Sequence, residues 1–181
     1  MFTSSSLLLK QDTRPEVRLA VMAGFVLLTA ISAKVSIPLE PVPFTLQPMA
    51  VLFTGMMLGG RDGFLTQLAY VLMIALGAPI DARGLGSAAL FSPTGGYLVG
   101  FVVAAGVTGV LTARIGGRVL GRFLAGLVGV AVIYAFGATH LVLYTGMDWG
   151  RAWASGVAPF LAWDAVKAFL AGGLSHSLRR R

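Results

Sequence analysis

An acid and a base stand three residues apart in the last apolar run of the chain, at Trp163-Asp164-Ala165-Val166-Lys167. On a helix that spacing places both side chains on one face. A carboxylate and an ammonium so placed can offer an acceptor and a donor to one polar ligand, each bond strengthened by charge. Alternatively they can pair with each other and latch the helix to its neighbours. In hydrocarbon such side chains face protein or water and by default mark a substrate or ion pathway. A ligand site is therefore expected, with a purely structural ion pair as the alternative.

Other chemistry finds little support. The chain has no cysteine, which removes disulfides, thiolate metal sites and cysteine nucleophiles. His140 and His176 lie on different apolar segments, neither beside a carboxylate or second histidine at metal-ligand spacing. A lone histidine in an apolar run is more often hydrogen-bonded structure than a catalyst. No Gly-x-Ser-x-Gly, His-Glu-x-x-His or phosphate-cradling loop with its lysine occurs. We expect no catalytic residue, no metal and no cofactor, and hence no enzyme. Lacking a nucleotide-binding motif, the chain cannot hydrolyse ATP alone, so uphill movement of a solute would need a partner or an ion gradient.

The elements that must position Asp164 and Lys167 follow from composition. Of 181 residues, 56% are hydrophobic and only 12% charged, whereas a soluble domain is about a quarter charged. Mean hydropathy is +0.83, and such a chain has too little polar surface to cover its apolar runs in water. It reads as an integral membrane protein, all-α, in one substrate-binding domain over residues 1–181 with a polar cytoplasmic lead over residues 1–16. The net charge of +7 is spread between apolar segments rather than clustered, which suits membrane orientation and not nucleic acid.

Six apolar runs are legible. The first covers residues 17–35; its basic flank imitates a secretory signal, but the segment is expected to be retained. Pro38, Pro41, Pro43 and Pro48 follow and demand an extended connection. Residues 44–58 and 64–76 form two short runs around the turn Gly59-Gly60-Arg61-Asp62-Gly63, each below the roughly 20 residues of a perpendicular span. The loop at residues 77–87 is too punctuated for a helix and is expected to pack back onto the bundle. Residues 92–113 form the fourth run, capped by Ser92 or Thr94. Arg114, Arg118 and Arg122 read as a basic connection to the fifth run, residues 123–143. After an interfacial turn carrying Tyr144 and Trp149, the sixth run reaches residue 178, started or kinked by Pro159.

With six spans both termini share a side. Lys10, Arg14, Arg18, Arg61, Arg114, Arg118, Arg122 and the terminal Arg179-Arg180-Arg181 fall there, against Lys34, Arg83 and Arg151 opposite. The termini are expected to be cytoplasmic, in the cytoplasmic membrane. Lys167 then stands alone as a basic residue within a span. Asp164 and Lys167 lie about 18 to 22 Å along the helix from Arg179 at 1.5 Å per residue, in the outer half of the bilayer, under the 81–87 loop. Small residues at Ala20-xxx-Gly24 and at Gly95, Gly96 and Gly100 allow helices to approach closely, within this bundle or against a partner.

Three stretches carry a resemblance. Ile37-Pro38-Leu39-Glu40-Pro41-Val42-Pro43-Phe44-Thr45-Leu46-Gln47, Ser92-Pro93-Thr94-Gly95-Gly96-Tyr97 and Trp163-Asp164-Ala165-Val166-Lys167 together resemble the BioY family. Its members are the biotin-binding S components of energy-coupling-factor (ECF) transporters. The likeness runs through nearly the whole chain in the order and spacing of its apolar segments. It implies a six-helix membrane bundle with an outward-facing biotin pocket. It also implies drive from a transmembrane coupling subunit with two ATPases, although some members occur without a dedicated module. Action alone or as a homo-oligomer stays open.

On that resemblance, Asp164 accepts from the ureido N–H groups and Lys167 donates to the ureido carbonyl. Tyr70, Phe91, Tyr97 and Trp163 wall the thiophane and alkyl chain, Arg83 meets the valerate carboxylate, and Gln47 and Gly84 complete the site. Ala20 and Gly24 correspond to the family's small-residue docking face for the coupling subunit. Some relatives have Asn in the outer loop and a basic residue after Gly-Gly-Tyr; here the loop reads Ala82-Arg83-Gly84-Leu85-Gly86, and Leu98 follows Tyr97. The competing class is a structural or assembly membrane protein in which Asp164 and Lys167 only pair.

Overall fold

The computed structural model describes residues 8–9, 13–115 and 117–179. Most of the expected lead, together with Lys10, Arg180 and Arg181 of the orientation count, lies outside the described residues. Among those described, six α-helices follow one another: α1 Pro15–Lys34, α2 Gln47–Ala75, α3 Gly95–Ile115, α4 Val119–Thr145, α5 Trp149–Gly156 and α6 Leu161–Arg179. They are not one for one the six apolar runs. The two short runs are the halves of α2, and α5 is a short helix ahead of the sixth.

Gly59 divides α2, with φ 81° and ψ 177° inside an otherwise helical stretch. A side chain rarely tolerates that backbone. The bend folds residues 47–58 and 60–75 back on each other, so that Gln67 Nε2 reaches Thr54 Oγ1 at 3.3 Å and Gln47 Nε2 reaches the Tyr70 hydroxyl at 2.8 Å. At the bend Arg18 of α1 pairs with the buried Asp62. Gly55 lies so close to α3 that a Cβ there would sit 2.3 Å from the Ala105 carbonyl oxygen.

The proline-rich connection is extended, as its prolines require. It carries a two-residue antiparallel ladder, β1 Ser36–Ile37 with β2 Phe44–Thr45, in the register Ser36 to Thr45 and Ile37 to Phe44. Pro48 falls in the first turn of α2, where no intrahelical N–H is lost. Ser92 Oγ accepts from Thr94 N at 3.2 Å ahead of α3. Pro159 lies in a 3-10 turn, Ala158–Phe160, between α5 and α6.

Four helical stretches among the described residues are long and apolar enough to cross a membrane: Pro15–Lys34, Gly95–Ile115, Val119–Thr145 and Trp149–Arg179. The core between them gathers Leu52, Met56, Tyr70, Phe101, Ile133 and Leu141. Large apolar side chains of α1 and α6, among them Leu19, Leu27, Ile31, Val166 and Phe169, stay exposed, as suits helices whose outer solvent is lipid.

Two expectations change. Arg122 is not part of a solvated connection: α4 already starts at Val119, and Arg122 is 1% exposed in its first turn. Its Nη1 donates to Ser175 Oγ of α6 at 3.0 Å, so Lys167 is not the sole basic residue inside a helix of the bundle. The small-residue stripes also separate. Gly96 serves internal packing, since a Cβ there would lie 2.2 Å from His140 Cβ, whereas Gly24 has nothing within 4 Å.

Candidate functional site

A cavity opens between the proline-rich connection, the start of α2, the 81–83 loop and helices α3, α4 and α6. Its lining, mostly apolar with a few convergent polar groups, is of the kind that takes a small-molecule ligand. Asp164 and Lys167 project into it from α6, 3% and 4% exposed. Lys167 Nζ donates to Asp164 Oδ1 at 2.7 Å and to the Thr45 carbonyl at 2.7 Å. It also lies 3.8 Å from the centre of the Phe44 ring, a cation over an aromatic face. Tyr134 of α4 donates its hydroxyl to Asp164 Oδ2 at 2.7 Å.

The pair on α6 is thus held from two other elements, α4 and β2. A carboxylate can accept about four hydrogen bonds and an ammonium can donate three. Two acceptor positions on Asp164 and one proton on Lys167 are left beyond these contacts. Burial of both charges is tolerable because each is paired and hydrogen-bonded.

Of the nine expected site residues, Asp164, Lys167, Arg83, Tyr97 and Gln47 line the cavity. Tyr97 presents its ring, while its hydroxyl donates to the Gly156 carbonyl at 2.8 Å and so ties α3 to α5. Gln47 is fixed from behind by Tyr70, whose own hydroxyl donates to the Ile80 carbonyl at 3.0 Å. Arg83 turns toward the proline-rich connection, with Nη2 3.1 Å from Glu40 Oε2 and 3.1 Å from the Pro41 carbonyl.

The other four expected residues do not line it. Trp163 is 60% exposed, because neighbours on a helix diverge by about 100° and Asp164 takes the inward direction; its ring meets Phe44 edge-on, centroids 6.2 Å apart. Phe91 ends a short 3-10 helix and is 77% exposed. Tyr70 is fully buried behind Gln47 rather than on the wall. Gly84 supplies a left-handed turn, φ 71°, that brings Arg83 round.

The walls are instead built by Phe101, Ile133, Leu98, Val42, Pro43 and Phe160, with polar Tyr134, Thr45, Thr94 and Asp81. Tyr134 had a legible signal, a phenol inside an apolar run that must find a partner when buried. Asp81 shapes the loop: its carboxylate accepts from Arg83 N at 3.0 Å and Gly86 N at 2.9 Å. Lys34 Nζ holds the same loop through the Asp81 and Pro79 carbonyls at 2.8 and 2.9 Å.

The family model of the BioY family matches residues 6–181. The chain belongs to the BioY family. Within BioY it is 34% identical over 176 residues to the biotin transporter BioY of Rhizobium etli, covering 92% of this chain and 94% of that protein. To the biotin transporter BioY of Thermotoga maritima it is 38% identical over 166 residues, 90% and 96% of the two chains. A crystal structure of the S-component for biotin from an ECF-type ABC transporter matches with a TM-score of 0.86 over 96% of each chain, at 23% identity. That likeness establishes the fold, a helical one carrying membrane-length apolar helices.

Proposed function

We propose that the protein takes up biotin as the substrate-binding S component of an ECF transporter, bound in the cytoplasmic membrane; it is a transport protein and not an enzyme. The observation that carries the ligand assignment is the cavity position of Asp164 and Lys167, each with hydrogen-bonding capacity beyond its protein partners. The ureido ring has two N–H groups and one carbonyl. Asp164 accepts from the N–H groups, and Lys167 turns its remaining proton to the carbonyl. Tyr97, Phe101, Ile133 and Phe160 enclose the thiophane and alkyl chain, and Arg83 at the loop meets the valerate carboxylate.

The whole chain serves as one membrane domain, residues 1–16 forming a cytoplasmic lead. The halves of α2 add two short crossings to the four long helical stretches, for six in all with cytoplasmic termini. The open face at Ala20 and Gly24, both exposed, docks the coupling subunit, which with two ATPases supplies the energy this chain cannot. Equilibrium binding of labelled biotin to the purified, detergent-solubilised protein tests the assignment: saturable binding at one site per chain is expected, and its absence would sink it.

A second reading has its own support. The bond from Lys167 to Thr45 ties α6 to the proline-rich connection, which is what a structural latch in an assembly protein would do. The latch and the ligand site differ in how paired substitutions at Asp164 and Lys167 behave.

A further inference from the structure

Arg83 has its guanidinium contacts at a single nitrogen. Nη2 lies 3.1 Å from Glu40 Oε2 and donates to the Leu39 and Pro41 carbonyls at 3.3 and 3.1 Å. The geometry of arginine makes that choice consequential. A guanidinium grips a carboxylate bidentately through Nε with Nη2 or through Nη1 with Nη2, because the inner proton of Nη1 faces the chain's own Cδ. Both forks need Nη2. A ligand carboxylate seeking two parallel bonds to Arg83 must therefore displace what Nη2 already holds.

We propose that Glu40 is an internal competitor for the anionic end of the ligand, exchanging with the ligand's carboxylate on Arg83. This rests on Arg83 as the carboxylate partner proposed above. Glu40 can leave without penalty of burial, its side chain 81% exposed while that of Arg83 is 26% exposed. The exchange also frees the Leu39 to Pro41 backbone from Arg83, so arrival of the carboxylate loosens the proline-rich connection at the mouth. Glu40 thus lowers affinity for acids while leaving neutral analogues untouched, and tunes how strongly the site prefers one over the other.

The test measures binding of biotin and of uncharged biotinamide to the full chain and to Glu40→Gln, Arg83→Gln and the double variant. Glu40→Gln should raise biotin affinity about two- to fivefold, the range of an exposed ion pair, and leave biotinamide unchanged. In the double variant that gain should vanish. A Glu40→Gln gain that persists without Arg83 would reveal a general field effect and overturn the competition, as would lowered biotin affinity, which would make Glu40 an orienting partner. If Arg83→Gln leaves the ratio of biotin to biotinamide affinity unchanged, the assignment of Arg83 itself fails and the proposal falls with it; a ratio that drops while Glu40→Gln is silent overturns the competition alone.

Discussion

The Tyr134 hydroxyl donates to Asp164 Oδ2 at 2.7 Å across 30 residues of sequence, from α4 to α6. With Lys167 on Oδ1, this fixes the plane of the carboxylate and so the direction of its remaining lone pairs. Tyr134→Phe should therefore weaken biotin binding by about 1.5 kcal/mol, roughly tenfold, as expected for a hydrogen bond to a charged group. In an Asp164→Asn background the same change should add little. Titration of labelled biotin into the four proteins checks this, and strictly additive losses would refute a shared action.

Whether the acid and base form a site or a latch is decided by paired substitution. If each bonds the ureido group, Asp164→Asn or Lys167→Met should cut biotin affinity by roughly 1.5 to 3 kcal/mol. A latch instead predicts that either single change destabilises the protein by leaving a buried charge unpaired, while the double change restores stability. Thermal unfolding and biotin binding are to be measured on all three. Restored stability with full binding in the double variant would exclude the direct role.

Gly24 and Gly96 should respond in opposite ways to a larger side chain. Gly24→Leu enters open space, so unfolding and biotin binding should be unchanged while co-purification with the coupling subunit is lost. Gly96→Ala meets His140 and the Phe136 carbonyl, 2.2 and 2.5 Å from the added carbon, and should cost about 1 to 3 kcal/mol of stability. Destabilisation by Gly24→Leu would show that α1 packs inward at that point.

Orientation follows from the arginines and lysines alone. Reporters fused to both termini should read cytoplasmic, and Arg83→Cys should react with an impermeant thiol reagent from outside the cell. Labelling only from the cytoplasmic side would invert the topology.

What could be read from residues alone depended on whether spacing within one helix carried the information. Asp164 and Lys167 were legible because two charges at i and i+3 in an apolar run share a face wherever the helix packs. Tyr134 and Phe101 carry no such spacing: the phenol of Tyr134 signals a need for a partner, but a lone aromatic in an apolar run acquires a direction only when the helix is rotated against its neighbours. Trp163 misled for the same reason, since adjacency to Asp164 in sequence is divergence on a helix. Arg122 misled because the end of an apolar run does not mark the start of a helix, and α6 covers its first turn. The turn at Gly59 was legible from its glycines, but not that the residues either side would fold together as one hairpin.

The bond from Lys167 to the Thr45 carbonyl closes a loop of 122 positions. During synthesis the chain threads into the membrane from its N-terminus, so the Thr45 carbonyl and the Tyr134 hydroxyl wait for partners that arrive only with the final helix. Both members of the buried acid–base pair lie on that helix, and a nascent chain halted before Leu161 has neither. The clasp that joins Thr45, Tyr134, Asp164 and Lys167 therefore closes in one step, when α6 arrives.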